Sequence, residues 1–471
     1  MVSNREPYIH RFFEDEIRCV MPVSGMALVI DLVMQICGGT WIAYGSGEAD
    51  KDVVDSNDHI QVPPENPNYT LRRVWLTKEE VDGYYYGFAN EGLWPLCHNA
   101  YTRPIFRESD WDMYRKVNEK FARIILEEMG DNEGFVFIQD YHFALLSKIL
   151  KEKRPDIIVA QFWHIPWPNE EVWRICPWGK DILEGLLGND LFGFHIRYHC
   201  QNFLDTTDRF IEARVDREKS SVIREEKETL VRPFPISVDF GKIENMSRQV
   251  EVENNIRNIR KRYRLNNRFI GIGVDRIDYI KGILERFAAI DRFFEKYPQY
   301  IGHFTFFQLG PLSRIRLQQY KDYNNEIYHS MVEINEKYKY KDWQPIVLHK
   351  AHFSQQDLIN YYRLADVCIV SSLHDGMNLV AKEFVASRWD NDGVLILSRF
   401  TGSARELDTA LLINPFSTDQ FVDTIKEALE MTQEEKEKRM ERMREIVMEN
   451  NIYRWTANIF SEIFKLGLEE I

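Results

Sequence analysis

Two cations, Arg276 and Lys281, close an apolar run in "GVDRIDYIKG" (273–282). A diphosphate leaving group calls for both types: a guanidinium fork for its oxygens and an ammonium as a point charge. The plainer reading is a solvated helix start, with Asp275 and Asp278 pairing the two cations, and this segment alone does not choose between them. A second stretch, "LHDGMNLVAKE" (373–383), sets Asp375 and Gly376 between the apolar "VCIVSS" (367–372) and a helical run. Gly376 lets a ligand come close to the backbone. The amides of Met377, Asn378, Leu379 and Val380 could then cradle an anion, and Glu383, one turn on, could accept from a ribose diol. Taken alone, Asp375 reads more simply as a helix cap.

Other polar groups sit where apolar runs end. "FIQDYHFALL" and "FWHIPWP" place Asp140 and His164 to meet sugar hydroxyls, with a core histidine as the plainer alternative for His164. "YYYGFANEGLWPL" (84–96) crowds Tyr85 and Trp94 around Asn90. Flat rings with polar tips wall carbohydrate sites, although such runs more often pack a core. Arg314 and Arg316 in "GPLSRIR" and Arg5 in "VSNREP" suggest a second anionic site, with Arg316 the most ordinary of the three. His195 and His199 have helical spacing but no third metal ligand at a suitable distance, so no metal is expected. "GIGVD" (271–275) is too short for a dinucleotide fingerprint.

The elements that must carry these residues alternate. "GGTWIAYGS" (38–46), "GFVFIQDY" (134–141), "DIIVAQFWHIP" (156–166) and "DLFGFHI" (190–196) read as strands. So do "RFIGIGVDR", "HFTFFQLG", "PIVLHKA", "VCIVSS", "GVLILSR" and "TALLINP" in the carboxyl half, each with a helical stretch behind it. Residues 110–129 read as a helix capped by Ser109 and ended by Gly130. Such alternation predicts an α/β class with parallel sheets covered on both faces. Ligands then belong beyond the carboxyl ends of the strands. The two prolines of "VRPFPISVDF" (231–240) mark a domain junction ahead of a charged helix, 242–264, and 433–449 reads as an amphipathic surface helix. A length of 471 residues, 28% of them charged and 44% hydrophobic, suits two globular domains. The formal charge of −14 argues against nucleic acid and anionic membranes as partners. Six scattered cysteines and a start without a signal-peptide core predict a cytoplasmic protein.

Taken in order, "SNR" (3–5), "YYYGFANEGLWPL", "QDYH" (139–142), "HIPWP" (164–168), "DRIDYIKG", "GPLSR" and "DGMNLVAKE" resemble the trehalose-6-phosphate synthases of glycosyltransferase family 20. The resemblance implies a GT-B architecture: two Rossmann-like domains facing across a deep cleft. Residues 1–236, with a final helix of about 452–471 crossing back, would bind the acceptor, and 237–451 the nucleotide-sugar. It implies a retaining transfer of glucose from UDP- or GDP-glucose to glucose 6-phosphate, without cofactor or metal. A glucosylglycerol-phosphate synthase is the alternative within the family, and a non-catalytic sugar-phosphate sensor is the alternative of another class. A homo-oligomer is left open.

Carried over by motif, Arg276 and Lys281 become the diphosphate clamp, and Gly25 the donor-loop glycine. Glu383 becomes the ribose ligand, Asp375 and His164 hold donor-sugar hydroxyls, and Phe353 lines the base. Arg5, Tyr85, Trp94 and Arg314 take the acceptor phosphate and Asp140 an acceptor hydroxyl. Asp140, His164, Arg276, Lys281 and Asp375 form the expected catalytic set. The chain departs from the family pattern at Ser24 (usually glycine), Tyr44 (tryptophan), Asp275 (glutamate) and His374 (arginine), and "MVSN" is short for an inner strand.

Overall fold

Apolar runs without polar alternation become strands buried on both faces. In this computed structural model "FTFFQL" forms the buried strand Phe304–Leu309 and "VCIV" the buried strand Val367–Val370. The structure describes residues 1–14, 16–21, 25–265 and 268–469. They divide into two units, residues 1–235 with 455–471, and residues 236–454.

The second unit holds one six-stranded parallel sheet. Its order is Ile346–His349, Phe304–Leu309, Phe269–Val274, Val367–Val370, Val394–Ser398, Leu411–Ile413. Numbered along the chain this is 3-2-1-4-5-6, the doubly wound order, which reverses direction between Phe269–Val274 and Val367–Val370. The expected charged helix at 242–264 is two helices, Phe240–Ser247 and Val250–Arg262.

The first unit holds a ten-stranded sheet with seven neighbouring parallel strands at its centre. Val2–Arg5 is an inner strand despite its four residues, bonded to Thr40–Tyr44 on one side and Phe135–Gln139 on the other. That gap is again where the order reverses. Tyr69–Val74 was not legible as a strand because two arginines interrupt "YTLRRV". Arg73 is nevertheless buried, and its guanidinium meets Glu6 at 2.9 Å and Asp50 at 3.0 Å.

The predicted helix 110–129 runs Glu108–Met129. Ser109 lies inside it rather than at its cap, and Gly130 closes it at φ 53°. Its stripe of Trp111, Tyr114, Val117, Phe121 and Ile125 is buried. Against this helix lies a 13-residue π-helix, Val81–Leu93. Gly83 and Gly87 make that approach possible, since a Cβ would fall 2.7 Å from Met113 at the first and 2.4 Å from the Asp110 carboxylate at the second.

Candidate active site

The switch point of the second unit collects Arg276, Lys281 and Asp375 of the expected donor residues. Arg276 follows strand Phe269–Val274, and Asp375 lies beyond strand Val367–Val370. Lys281 Nζ donates to Asp375 Oδ2 at 2.6 Å, and both side chains are largely buried. The aspartates expected to neutralise the two cations have other partners. Asp275 pairs with the fully buried Arg286 at 2.9 Å. Arg286 also donates to Gln308 Oε1 at 2.6 Å and Ser371 Oγ at 3.0 Å, tying three strand ends together. Burial pushes the Asp275 carboxyl up, while Arg286 draws it back. The glycines of "GIG" serve packing here: a Cβ on Gly273 would lie 2.1 Å from the Arg286 guanidinium.

Asp278 caps the short turn Tyr279–Lys281 through its Oδ1, and its Oδ2 accepts from Arg314 at 2.7 Å. Arg314, expected at the acceptor phosphate, also donates to Tyr320 Oη at 2.6 Å. The turn ends on Gly282 at φ 62°, where a Cβ would stand 2.1 Å from the Ser371 carbonyl oxygen. A side chain there meets rigid backbone in a left-handed conformation. Gly282→Ala is expected to destabilise the unit by about 3 kcal/mol, read as a lower denaturant midpoint at unchanged slope.

Asp375 does not cap the next helix. Asn378, at φ 81°, caps Leu379–Ser387 by accepting from the Ala381 amide at 3.1 Å. The Asp375 carboxylate is thereby available to Lys281, Ser372 (3.2 Å) and Asn378 Nδ2 (3.2 Å). The turn itself is pinned from outside: Asp375 N–H donates to Phe400 O, and the carbonyls of Asp375 and Met377 accept from Gly402 and Ser403. Gly376 and Met377 are buried in it, and Leu379 and Val380 head the helix. Lys382 turns away to Glu406 and the Ile236 carbonyl. Glu383 accepts from Tyr362 Oη at 2.9 Å, and its carboxyl is raised by burial to about 7. Phe353 lies edge-on to Tyr361 at 5.7 Å.

In the first unit Arg5 ends the innermost strand and donates to Tyr85 Oη at 2.9 Å. The next residue, Glu6, is anchored by Arg73 and by the Ser46 amide at 2.7 Å, which fixes the loop behind Arg5. The aromatic run divides its work: Tyr84 and Phe88 are core, while Tyr85 is only partly buried. Asn90 accepts from Tyr141 Oη and donates to the Tyr85 carbonyl, locking the two aromatic residues together. Trp94 lies 6.0 Å from the Tyr141 ring. Asp140, at φ 72°, accepts from the amides of Tyr141 and His164. His164 bonds Gln139 Oε1 at 2.8 Å, and burial lowers its imidazole to about 3, so the ring is neutral. Of the donor-loop pair, Ser24 lies outside the described residues and Gly25 opens the helix Gly25–Cys37. His195 bonds the His164 carbonyl. Among the described residues no cluster of three or more His, Cys, Asp or Glu is disposed to hold a metal.

Arg286, Tyr362 and Gln139 were not singled out in the sequence, and Asn90 was named there only as the centre of its aromatic run. Tyr362, Asn90 and Gln139 brace Glu383, Tyr85 and His164 from inside the fold, Arg286 ties the strand ends behind Arg276, and nothing in a local motif marks such a partner.

The signature of glycosyltransferase family 20 matches residues 1–465. The chain is 35% identical over 477 residues to the trehalose-6-phosphate synthase of Mycobacterium marinum, covering 98% of this chain and 93% of that one. Its structure resembles that of trehalose-6-phosphate from E. coli bound with UDP-2-fluoro glucose, with a TM-score of 0.88, 30% identity and 98% of both chains covered. It resembles equally an α,α-trehalose-phosphate synthase (UDP-forming) from Burkholderia xenovorans in complex with glucose-6-phosphate. There the TM-score is 0.88 at 28% identity, over 98% of this chain and 99% of that one.

Proposed function

The chain belongs to glycosyltransferase family 20, and on that premise we propose that it is an α,α-trehalose-phosphate synthase working with retention. It moves glucose from a nucleotide-glucose to glucose 6-phosphate and releases the nucleoside diphosphate. Its two Rossmann-like units are those of the GT-B class, and among the described residues no helix is long and apolar enough to cross a membrane. The observation that carries the reading is the Lys281–Asp375 pair, 2.6 Å apart at the switch point that Arg276 also follows.

Cleavage of the anomeric C–O bond leaves negative charge on the diphosphate. Arg276, Lys281 and the first-turn amides of Leu379–Ser387 stabilise it. The acceptor hydroxyl attacks the anomeric carbon from the face that the diphosphate leaves, and its proton passes to a diphosphate oxygen. No carboxylate nucleophile is needed, and positioning supplies much of the rate. Neutral His164 meets a donor-sugar hydroxyl as a hydrogen-bonding group, and Asp375, in the second unit, is a hydroxyl acceptor at the switch point. Glu383 takes the ribose, Gly25 belongs to the donor loop and Phe353 flanks the base. In the first unit Arg5, Tyr85 and Trp94 take the acceptor phosphate, and Asp140 takes an acceptor hydroxyl.

Tyr85→Phe removes the hydroxyl that Arg5 donates to. It is expected to raise the glucose 6-phosphate KM about tenfold with the donor KM unchanged, in steady-state assays varying one substrate at a time. The reading as a whole is tested by mass spectrometry of products from a matrix of UDP-, GDP- and ADP-glucose against glucose 6-phosphate and glycerol 3-phosphate. Trehalose 6-phosphate as the main product supports it. A glucosylglycerol phosphate as the main product would transfer the protein to the other synthase, and glucose 6-phosphate binding without donor turnover would make it a sensor.

A further inference from the structure

Tyr362 sits on the helix Gln355–Leu364 with its ring buried, 6.3 Å from Phe384 and edge-on to it. Its backbone carbonyl accepts from Arg388 at 3.1 Å. Phe384 directly follows Glu383 and Arg388 closes the same helix, Leu379–Ser387, so the tyrosine is braced against the helix that carries the carboxylate it serves. Its hydroxyl donates to one oxygen of that carboxylate, Oε2, at 2.9 Å. A carboxylate on a helix has several rotamers and four lone-pair directions. A rigid donor on Oε2 selects one rotamer and leaves Oε1 to be presented.

Resting on the proposed role of Glu383 at the ribose, we infer that Tyr362 is a positioning residue for nucleotide recognition: it aims Glu383 at the ribose hydroxyls from inside the fold. It does not touch the reacting atoms. The neighbours support a second effect of the same bond. Other titratable groups that bear on this buried pair are the Cys368 thiol, in strand Val367–Val370, and Asp275 at the strand end. Lys382, next in chain, is turned to Glu406 and Ile236. Burial raises the Glu383 carboxyl, and the tyrosine hydroxyl works against it by favouring the charged form.

The test is Tyr362→Phe, which keeps the ring and its packing. The UDP-glucose KM is expected to rise about tenfold while the glucose 6-phosphate KM stays within about twofold. The wild type should bind UDP-glucose more tightly than an analogue lacking the 2′ and 3′ ribose hydroxyls, and this preference should shrink several-fold in the variant. Donor KM in the wild type should climb as pH falls through about 7, where Glu383 takes up a proton. In the variant the climb should begin at higher pH, because the bond that favours the charged form is gone. A purely structural role would lower the active fraction without moving that limb or the analogue preference. Glu383→Ala separates the two readings. If it abolishes the ribose preference and Tyr362→Phe leaves donor KM, preference and pH limb unchanged, the positioning role is wrong. If Glu383→Ala itself leaves the preference intact, the ribose reading of Glu383 is wrong.

Discussion

Arg276→Ala is expected to lower kcat by about a thousandfold, because removing one pre-placed donor to developing oxyanion charge costs about 3 to 4 kcal/mol in the transition state. Arg276 follows the first strand at the switch point. Asp275 is held by Arg286, and Asp278 by Arg314 and its own turn. The two aspartates of the helix-start reading thus have structural partners of their own. Arg276→Lys restores charge without the two-pronged geometry, so it should recover only part of the loss. The unit should fold as before, since Arg276 is partly exposed and the braces of the sheet end lie on Arg286. Single-turnover assays at saturating donor read the loss directly. Turnover within tenfold of the wild type would remove Arg276 from the clamp.

How much of this was legible beforehand depends on distance along the chain. The second sheet could be read because its strands are short and mostly apolar: Val367–Val370 and Val394–Ser398 are buried throughout. Tyr69–Val74 could not, because Arg72 and Arg73 break its run. The charges are accommodated by Glu6 and Asp50 for Arg73 and by Glu127 and Glu128 for Arg72, all tens of residues away. The long π-helix is equally invisible to a search for 3.6-residue periodicity. Its backbone bonds span five residues, and inside it the Asn90 side chain donates to the Tyr85 carbonyl.

The candidate residues themselves follow strand ends and were named from motif and type. What the sequence left open was the choice between a function and a cap or counter-ion. Asp375 illustrates it. Read locally, an acidic residue just before a helix is a cap; the structure gives that task to Asn378, three residues on, in a left-handed conformation. Asp278 illustrates the converse, since its turn-capping role is local but its partner Arg314 lies 36 residues away. Such assignments need the positions of groups that sequence spacing does not relate.

Asp375→Asn tests the same site from the acidic side. Two electrostatic effects oppose each other. Deleting a negative charge near a diphosphate removes repulsion, which in a largely buried site at an effective dielectric of about 20 is worth a few kcal/mol at contact and less with distance. Against this, Asp375 Oδ2 gathers Lys281, Ser372 and Asn378. An amide at that position presents either a weaker neutral acceptor or an N–H facing an ammonium. Lys281 is a flexible point charge, and its value to a leaving group depends on being held. The loss of alignment falls on the transition state, where charge on the diphosphate is greatest, whereas the relief of repulsion is already felt when the donor binds. The expected pattern is therefore a kcat lowered by about a hundredfold or more with donor KM unchanged or slightly improved. Lys281→Ala should lose a similar amount. The double substitution should fall well short of the product of the two losses, because both break one pair. Equal losses in kcat and donor affinity in Asp375→Asn, with strict additivity in the double variant, would mean that the 2.6 Å pair has no part in catalysis.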